Sequence, residues 1–173
     1  MGTGHPINDY IKKEGIDPEQ GLGQGLFLTI SSLVPIVNVD LLVYNKHGQF
    51  LLTRRNDSHC GTGWHVPGGC IRFKETCEDR IRKVALKELG IKKISFDKNP
   101  VKVFEIIEKR QRPIENQNER AHFITLVYQC LVDDSYQINN GNLTEEDAGY
   151  IKWFDTLPDD LLSIQSCYHE IMN

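Results

Sequence analysis

Apolar positions along the 173 residues gather into short runs separated by polar and glycine-rich breaks. Residues 36–44 are rich in β-branched and other apolar types and predict a strand. Lys46-His47-Gly48 reads as a hairpin turn into a second strand at 49–54. Gly61-Thr62-Gly63 predicts a flexible loop. Residues 64–66 predict a short strand that ends at Pro67-Gly68-Gly69. Residues 101–109 and 122–132 alternate or run apolar like strands, with a long polar loop at 110–119 between them. A second polar stretch, 133–149, carries a turn at Asn139-Asn140-Gly141 and leads into a strand at 150–154.

The three- and four-residue spacing of helices appears in four places. Residues 8–14 and 26–33 predict short helices, the second ending before Pro35. Residues 76–89 give the clearest helix: Thr76 caps it with Asp79 three residues on, and Gly90 ends it. From Pro158, the positions Leu161, Leu162, Ile164, Tyr168 and Ile171 predict an amphipathic closing helix. Glycines and Pro18 break up residues 1–25, which read as an N-terminal extension on a single domain at 26–173. Several strands with one central and one terminal helix predict a mixed α/β sandwich of the α+β kind.

Composition narrows the class. Lys and Arg total 20 against 24 Asp and Glu, a net charge of −4, with 39% hydrophobic residues, which describes an ordinary globular chain. The acidic balance argues against a general nucleic-acid binder, which needs a basic face. No apolar run reaches the roughly 18 residues of a membrane span. The N-terminus lacks the order of a signal peptide, and Pro6 occupies the position where myristoylation needs Ser or Thr. The expected location is cytoplasmic. Five cysteines, an odd number with no C-x-x-C, argue against a disulfide framework or a zinc site. The charge is also uneven. Residues 51–120 hold 16 basic and 10 acidic groups, net +6, and residues 121–173 hold 1 basic and 9 acidic, net −8. A basic centre and an acidic tail suit a small polyanion and a metal cation.

Candidate chemistry centres on the 76–89 helix. Cys77, Ile81, Val84, Ala85 and Glu88 share one face, which is apolar except for Glu88. A carboxylate on an inward stripe is costly unless a cation or donor meets it. A salt bridge or a fraying last turn is the plain alternative. The Gly68-Gly69 turn upstream frees backbone groups near the helix, and a carbonyl with a carboxylate forms a hard-oxygen site suited to Mg²⁺ or Mn²⁺.

Gly69, five residues, Glu75, seven residues, then Lys83 through Gly90-Ile91 resembles the Nudix box, G-x5-E-x7-R-E-U-x-E-E-x-G-U, where U is bulky and apolar. Both glycines, Glu75, Glu88 and Ile91 match. Lys83 stands for the Arg, and Val84 and Lys87 replace two glutamates. A box that keeps only its last helical Glu is similar to that of GDP-mannose mannosyl hydrolases. The likeness covers roughly residues 26–157, including 27–35, Asp40, 50–52, Arg55, Gly63-Trp64, 66–69, His122 and Trp153.

The resemblance implies a Nudix-type α/β/α sandwich. It also implies a Mg²⁺-dependent hydrolase (Mn²⁺ possible) of a nucleoside diphosphate sugar, acting as a homodimer with residues 22–34 in its interface. One metal is implied at the Gly68 carbonyl, Glu88 and a late-loop residue, which here is Asp147. Asp40 is implied as a substrate contact and Arg55 as a phosphate contact. The second phosphate arginine of that family is Cys70 here, and Arg72 is the nearby substitute. Lys83 adds positive charge, and Glu75 supports the box. The family's catalytic His is Ala148 here, so a neighbouring acid, Glu145 or Glu146, is the expected base, with His122 the other candidate. Attack on phosphorus rather than on the anomeric carbon, as in other Nudix enzymes, and a non-catalytic nucleotide-binding protein are the competing readings.

Overall fold

The computed structural model describes residues 6–57, 60–107 and 122–172. Two N-terminal helices, α1 (Pro6–Lys13) and α2 (Gly23–Ser31), precede a mixed sheet. Its strands are β1 (Ile36–Tyr44), β2 (Phe50–Asp57), β3 (Gly61–His65), β4 (Gly68–Cys70), β5 (Ser95–Phe96), β6 (Lys102–Ile107), β7 (His122–Leu131) and β8 (Ile151–Phe154). α3 (Cys77–Leu89) follows β4, and a 3₁₀ segment, Ser163–Glu170, closes the fold.

β1 and β7 run parallel through the middle, from Ile36 opposite Phe123 to Tyr44 opposite Leu131. The other pairings are antiparallel. Both faces of β1 are covered, which accounts for its unbroken apolar run from Leu41 to Val43. On one face Val39, Leu41, Val43 and Leu51 pack beneath Ile81, Val84, Ala85 and Leu89 of α3. On the other Leu42, Leu52, Trp64 and Val66 pack against Tyr168 and Met172.

The site depends on a split in this sheet. β1 and β2 are paired only at their hairpin end, Tyr44 opposite Phe50. Beyond it β2 turns to β3 and β8, while β4 takes its place beside β1, with Asp40 opposite Gly68. The divergence opens a cleft whose floor is β4.

α3 carries the predicted capping box and ends at Gly90 in the left-handed region, φ +67°. Two expectations need correction. Residues 61–63 are strand rather than loop, because the β2–β3 hairpin extends to Asp57 opposite Gly61. The closing segment is a kinked 3₁₀ helix, broken at Gln165 (φ −104°, ψ 15°), whose side chain is held by the Val66 backbone at 2.7 and 3.2 Å. β4 and β5 were not foreseen, since two or three residues show no period. The loop expected at 110–119 lies outside the described residues.

Candidate active site

Glu88 sits in the last turn of α3, one turn beyond Val84, on the stripe facing β4. β4 lies close against that helix: a Cβ on Gly69 would stand 3.1 Å from Val84 Cγ2 and 3.4 Å from Arg80 Cδ. Burial pushes the Glu88 carboxyl up to about 7, against the lowering influence of Arg55 and of the Gly68 backbone N–H that it accepts. Gly68 is opposite Asp40 in the ladder, while the bonded positions are Leu41 N–H to Pro67 and Ile71 N–H to Val37. An antiparallel strand at such a position turns both its N–H and its C=O away from the neighbour. The Gly68 carbonyl therefore emerges on the same side as its N–H, toward Glu88. A side chain at Gly68 would run into Asp40 Oδ1, so the close approach requires glycine.

Asp40 lies on the other side of that glycine, 4% exposed. Tyr168 Oη donates to its Oδ2 at 2.7 Å, and Gln165 Nε2 stands 3.5 Å from the same oxygen. Burial pushes Asp40 up to about 7; Tyr168 opposes this, Glu88 adds to it, and Arg55 opposes it. His65 Nδ1–H donates to the Thr53 carbonyl at 2.8 Å, leaving Nε2 3.8 Å from Glu88 Oε2. Burial, reinforced by Arg55, drops His65 to about 4, so the ring is neutral near pH 7. A buried carboxyl, Asp40, and a half-buried one, Glu88, thus share a site in which Arg55 is the positive charge acting on both.

Arg55 marks a junction. A cavity of about 1020 Å³ runs from it over β4 and α3, lined by Arg72, Lys83, Lys87 and Glu88 and walled by residues 20–24, Phe27 and Leu28 of the N-terminal segment. A smaller chamber of about 230 Å³ lies on the other side, lined by Asn38, Asp40, His65, Thr125 and Gln165. Both cavities touch Phe27, Arg55 and Gly68 through Cys70. One cleft therefore has a large room and a small room, meeting at a cation and a strand of exposed backbone.

A NUDIX domain model matches residues 34–161, about three quarters of the chain. The chain belongs to the NUDIX family. Over 58 residues it is 41% identical to the low-salt glycan biosynthesis protein Agl8 of Haloferax volcanii, a stretch spanning 34% of this chain and 36% of that protein. Two solved structures share the fold. A MutT NUDIX hydrolase from Burkholderia pseudomallei has a TM-score of 0.58 at 20% identity, over 79% of this chain and 97% of the other. A possible asymmetric diadenosine tetraphosphate hydrolase from Jonesia denitrificans has a TM-score of 0.57 at 18% identity, over 79% and 91%.

Within this Nudix domain the remaining expected residues take distinct places. The Glu75 side chain is 4% exposed and acts as a clasp: it accepts from the Arg72 N–H at 2.9 Å and from Arg80 Nε at 2.7 Å, and pairs with Lys83 Nζ at 2.8 Å. Burial alone would raise its carboxyl, but Lys83, the Arg72 N–H and Arg80 hold it down at about 2. Arg80, almost buried, was not singled out from sequence; its place on the α3 stripe five residues after Glu75 was the available signal. The Arg72 guanidinium lies beside Gly21, near enough that a Cβ there would be 3.5 Å from Cζ.

The late loop is anchored next to Arg55, because the Gly149 N–H donates to the Arg54 carbonyl at 2.8 Å. Its acids are engaged to different degrees. Glu145 pairs with Lys152 Nζ at 2.6 Å, and Asp147 Oδ2 accepts from Thr144 N–H and Oγ1 at 2.7 Å each. Glu146, 83% exposed, reaches only Arg54 at 3.5 Å. Thus the structure brings together Asp40, Arg55, Gly68 and Glu88, with Arg72 and Lys83 along the larger room. Glu146 and Asp147 stay on the late loop and line neither room. His122 is paired with Glu105 at 3.0 Å, on the face of β7 opposite the chamber-lining Phe123 and Thr125. His65, near Glu88 on β3, is a site residue that sequence reasoning missed.

The donor set suits a divalent cation. Glu88 and the Gly68 carbonyl offer hard oxygens on one side, and burial raises both Glu88 and Asp40, so a cation placed there would favour their ionised forms. Among the described residues no three His, Cys, Asp or Glu side chains gather as a metal cluster.

Proposed function

We propose that this chain is a Mg²⁺-dependent hydrolase of a nucleoside diphosphate sugar, of the GDP-mannose type, releasing the sugar and the nucleoside diphosphate. The supporting observation is the junction: Arg55 and Gly68 lie where the larger room, which Glu88 lines, meets the smaller one, a place suited to a diphosphate linking two unequal groups. The 41% identity to a glycan biosynthesis protein over 58 residues supports a sugar-linked substrate.

Arg55 binds the diphosphate with its planar fork, and Arg72 and Lys83 add positive charge in the larger room. Asp40, fixed by Tyr168, contacts the group on the other side. Glu88 and the Gly68 carbonyl would hold the metal, Mg²⁺ or Mn²⁺, with Asp147 as the third donor brought in from the late loop. When bound, the metal supplies Lewis-acid stabilisation of the negative charge that builds on the departing diphosphate. Glu146 takes the proton from the attacking water, being the least engaged acid of its loop. Ala148, where that subfamily places its His, favours a second reading: water attacks phosphorus and splits the diphosphate.

A panel of nucleotide sugars, dinucleotides and nucleoside triphosphates with Mg²⁺ in ¹⁸O-water separates the two. The account expects label in the released sugar and none in phosphate. Label in phosphate would establish the second reading. No turnover across the panel would leave a binding protein.

A further inference from the structure

The small chamber contains polar atoms that the fold leaves without partners. Thr125 is 1% exposed, and its Oγ1 has no hydrogen-bond partner; Asn38 Oδ1 is likewise buried without one. The two residues are opposite each other in the β1–β7 ladder, and Asp40 follows on the same face of β1. Gln165 also lines the chamber. The apolar side consists of Phe27, Val66, Ile106, Phe123 and Ile164. An unpaired buried hydroxyl or amide oxygen is costly, so two such groups side by side on a cavity wall point to a ligand that completes them.

Size and position restrict that ligand. A cavity of about 150 Å³ holds one benzene ring, so 230 Å³ takes a single substituted ring and not a base with its ribose. The chamber opens at Arg55 and Gly68, so its ring must be bonded directly to the phosphate bound there. A nucleobase is separated from phosphate by ribose, whereas a glycosyl group is joined directly. Hydroxyls that both donate and accept match a wall of carboxylate, amide and hydroxyl oxygens.

We infer that Asn38 and Thr125 form, with Asp40, a glycosyl-recognition wall in the small chamber, while the nucleoside occupies the larger room. This rests on the reading of the substrate as a nucleoside diphosphate sugar.

Direct binding tests it without turnover. Hexose 1-phosphate, inorganic phosphate and a nucleoside monophosphate are titrated with Mg²⁺ into the wild-type chain, Thr125→Val and Asn38→Ala. Wild type should bind hexose 1-phosphate roughly tenfold tighter than phosphate, and each variant should erase most of that margin while phosphate affinity is unchanged. Thr125→Val should keep or raise Tm, since it removes an unpaired buried hydroxyl at nearly constant shape. The inference is overturned if hexose 1-phosphate binds no better than phosphate. It is equally overturned if the variants weaken both ligands alike, or if they weaken the nucleoside monophosphate instead. Sugar phosphate binding without hydrolysis of any nucleotide sugar would remove the proposed reaction and leave the wall standing. Hydrolysis without the sugar phosphate margin would do the reverse.

Discussion

Glycine 68 carries more of the site than any ionisable residue, because its missing side chain lets Asp40 and Glu88 approach the same backbone from opposite sides. Gly68→Ala should lower stability by about 1–3 kcal/mol through overpacking, and should abolish activity. Equal melting and equal turnover would show that the close approach is not needed. Glu88 gives a second test at this scale. Its folded pKa of about 7 lies above the ordinary 4.5, so its ionised form is the one the fold disfavours. That penalty is absent below about pH 4.5 and grows through pH 7. In metal-free buffer Glu88→Gln should therefore melt higher than wild type at pH 8, by roughly 2 kcal/mol, and equally at pH 4. A difference that persists at pH 4 would mean a change in packing instead. The sequence already marked Glu88 as the polar residue on an apolar helix face. His65 left no such mark, because its role comes from the β2–β3 pairing that sets it beside Thr53 and near Glu88.

At the scale of elements, α3 and β4 act as one unit, and Glu75 fastens them. Its folded pKa of about 2 lies below the ordinary 4.5, so its contribution is full above pH 4.5 and is lost as pH falls through 2. Glu75→Gln should cost about 2–3 kcal/mol at pH 7, and its melting curve should converge with wild type near pH 2. A constant gap would mean that the ion pairs are not its source. Thr76→Ala, which removes the helix cap, should cost about 1 kcal/mol, and an undiminished Tm would show the cap to be redundant. Helix α3 was legible to the residue because cap, period and terminal glycine all agree. The closing segment was not, because the Gln165 amide bonds the Val66 backbone from across the fold and breaks the helix its apolar spacing suggested.

For the whole molecule, the sheet split and the N-terminal segment decide what the site accepts. Residues 20–24, Phe27 and Leu28 wall the larger room, so residues read as an extension border the same cavity as Glu88. No period or motif could have revealed that, since it follows from where the chain packs. The uneven charge did foreshadow it, with basic groups of the central segment facing the same cavity. The most direct measurement is product analysis of GDP-mannose incubated with Mg²⁺, run in parallel with wild type and Glu88→Gln. The account predicts GDP and free mannose from wild type and neither from the variant, with both proteins folded. GMP with mannose 1-phosphate, or unchanged product from Glu88→Gln, would contradict it.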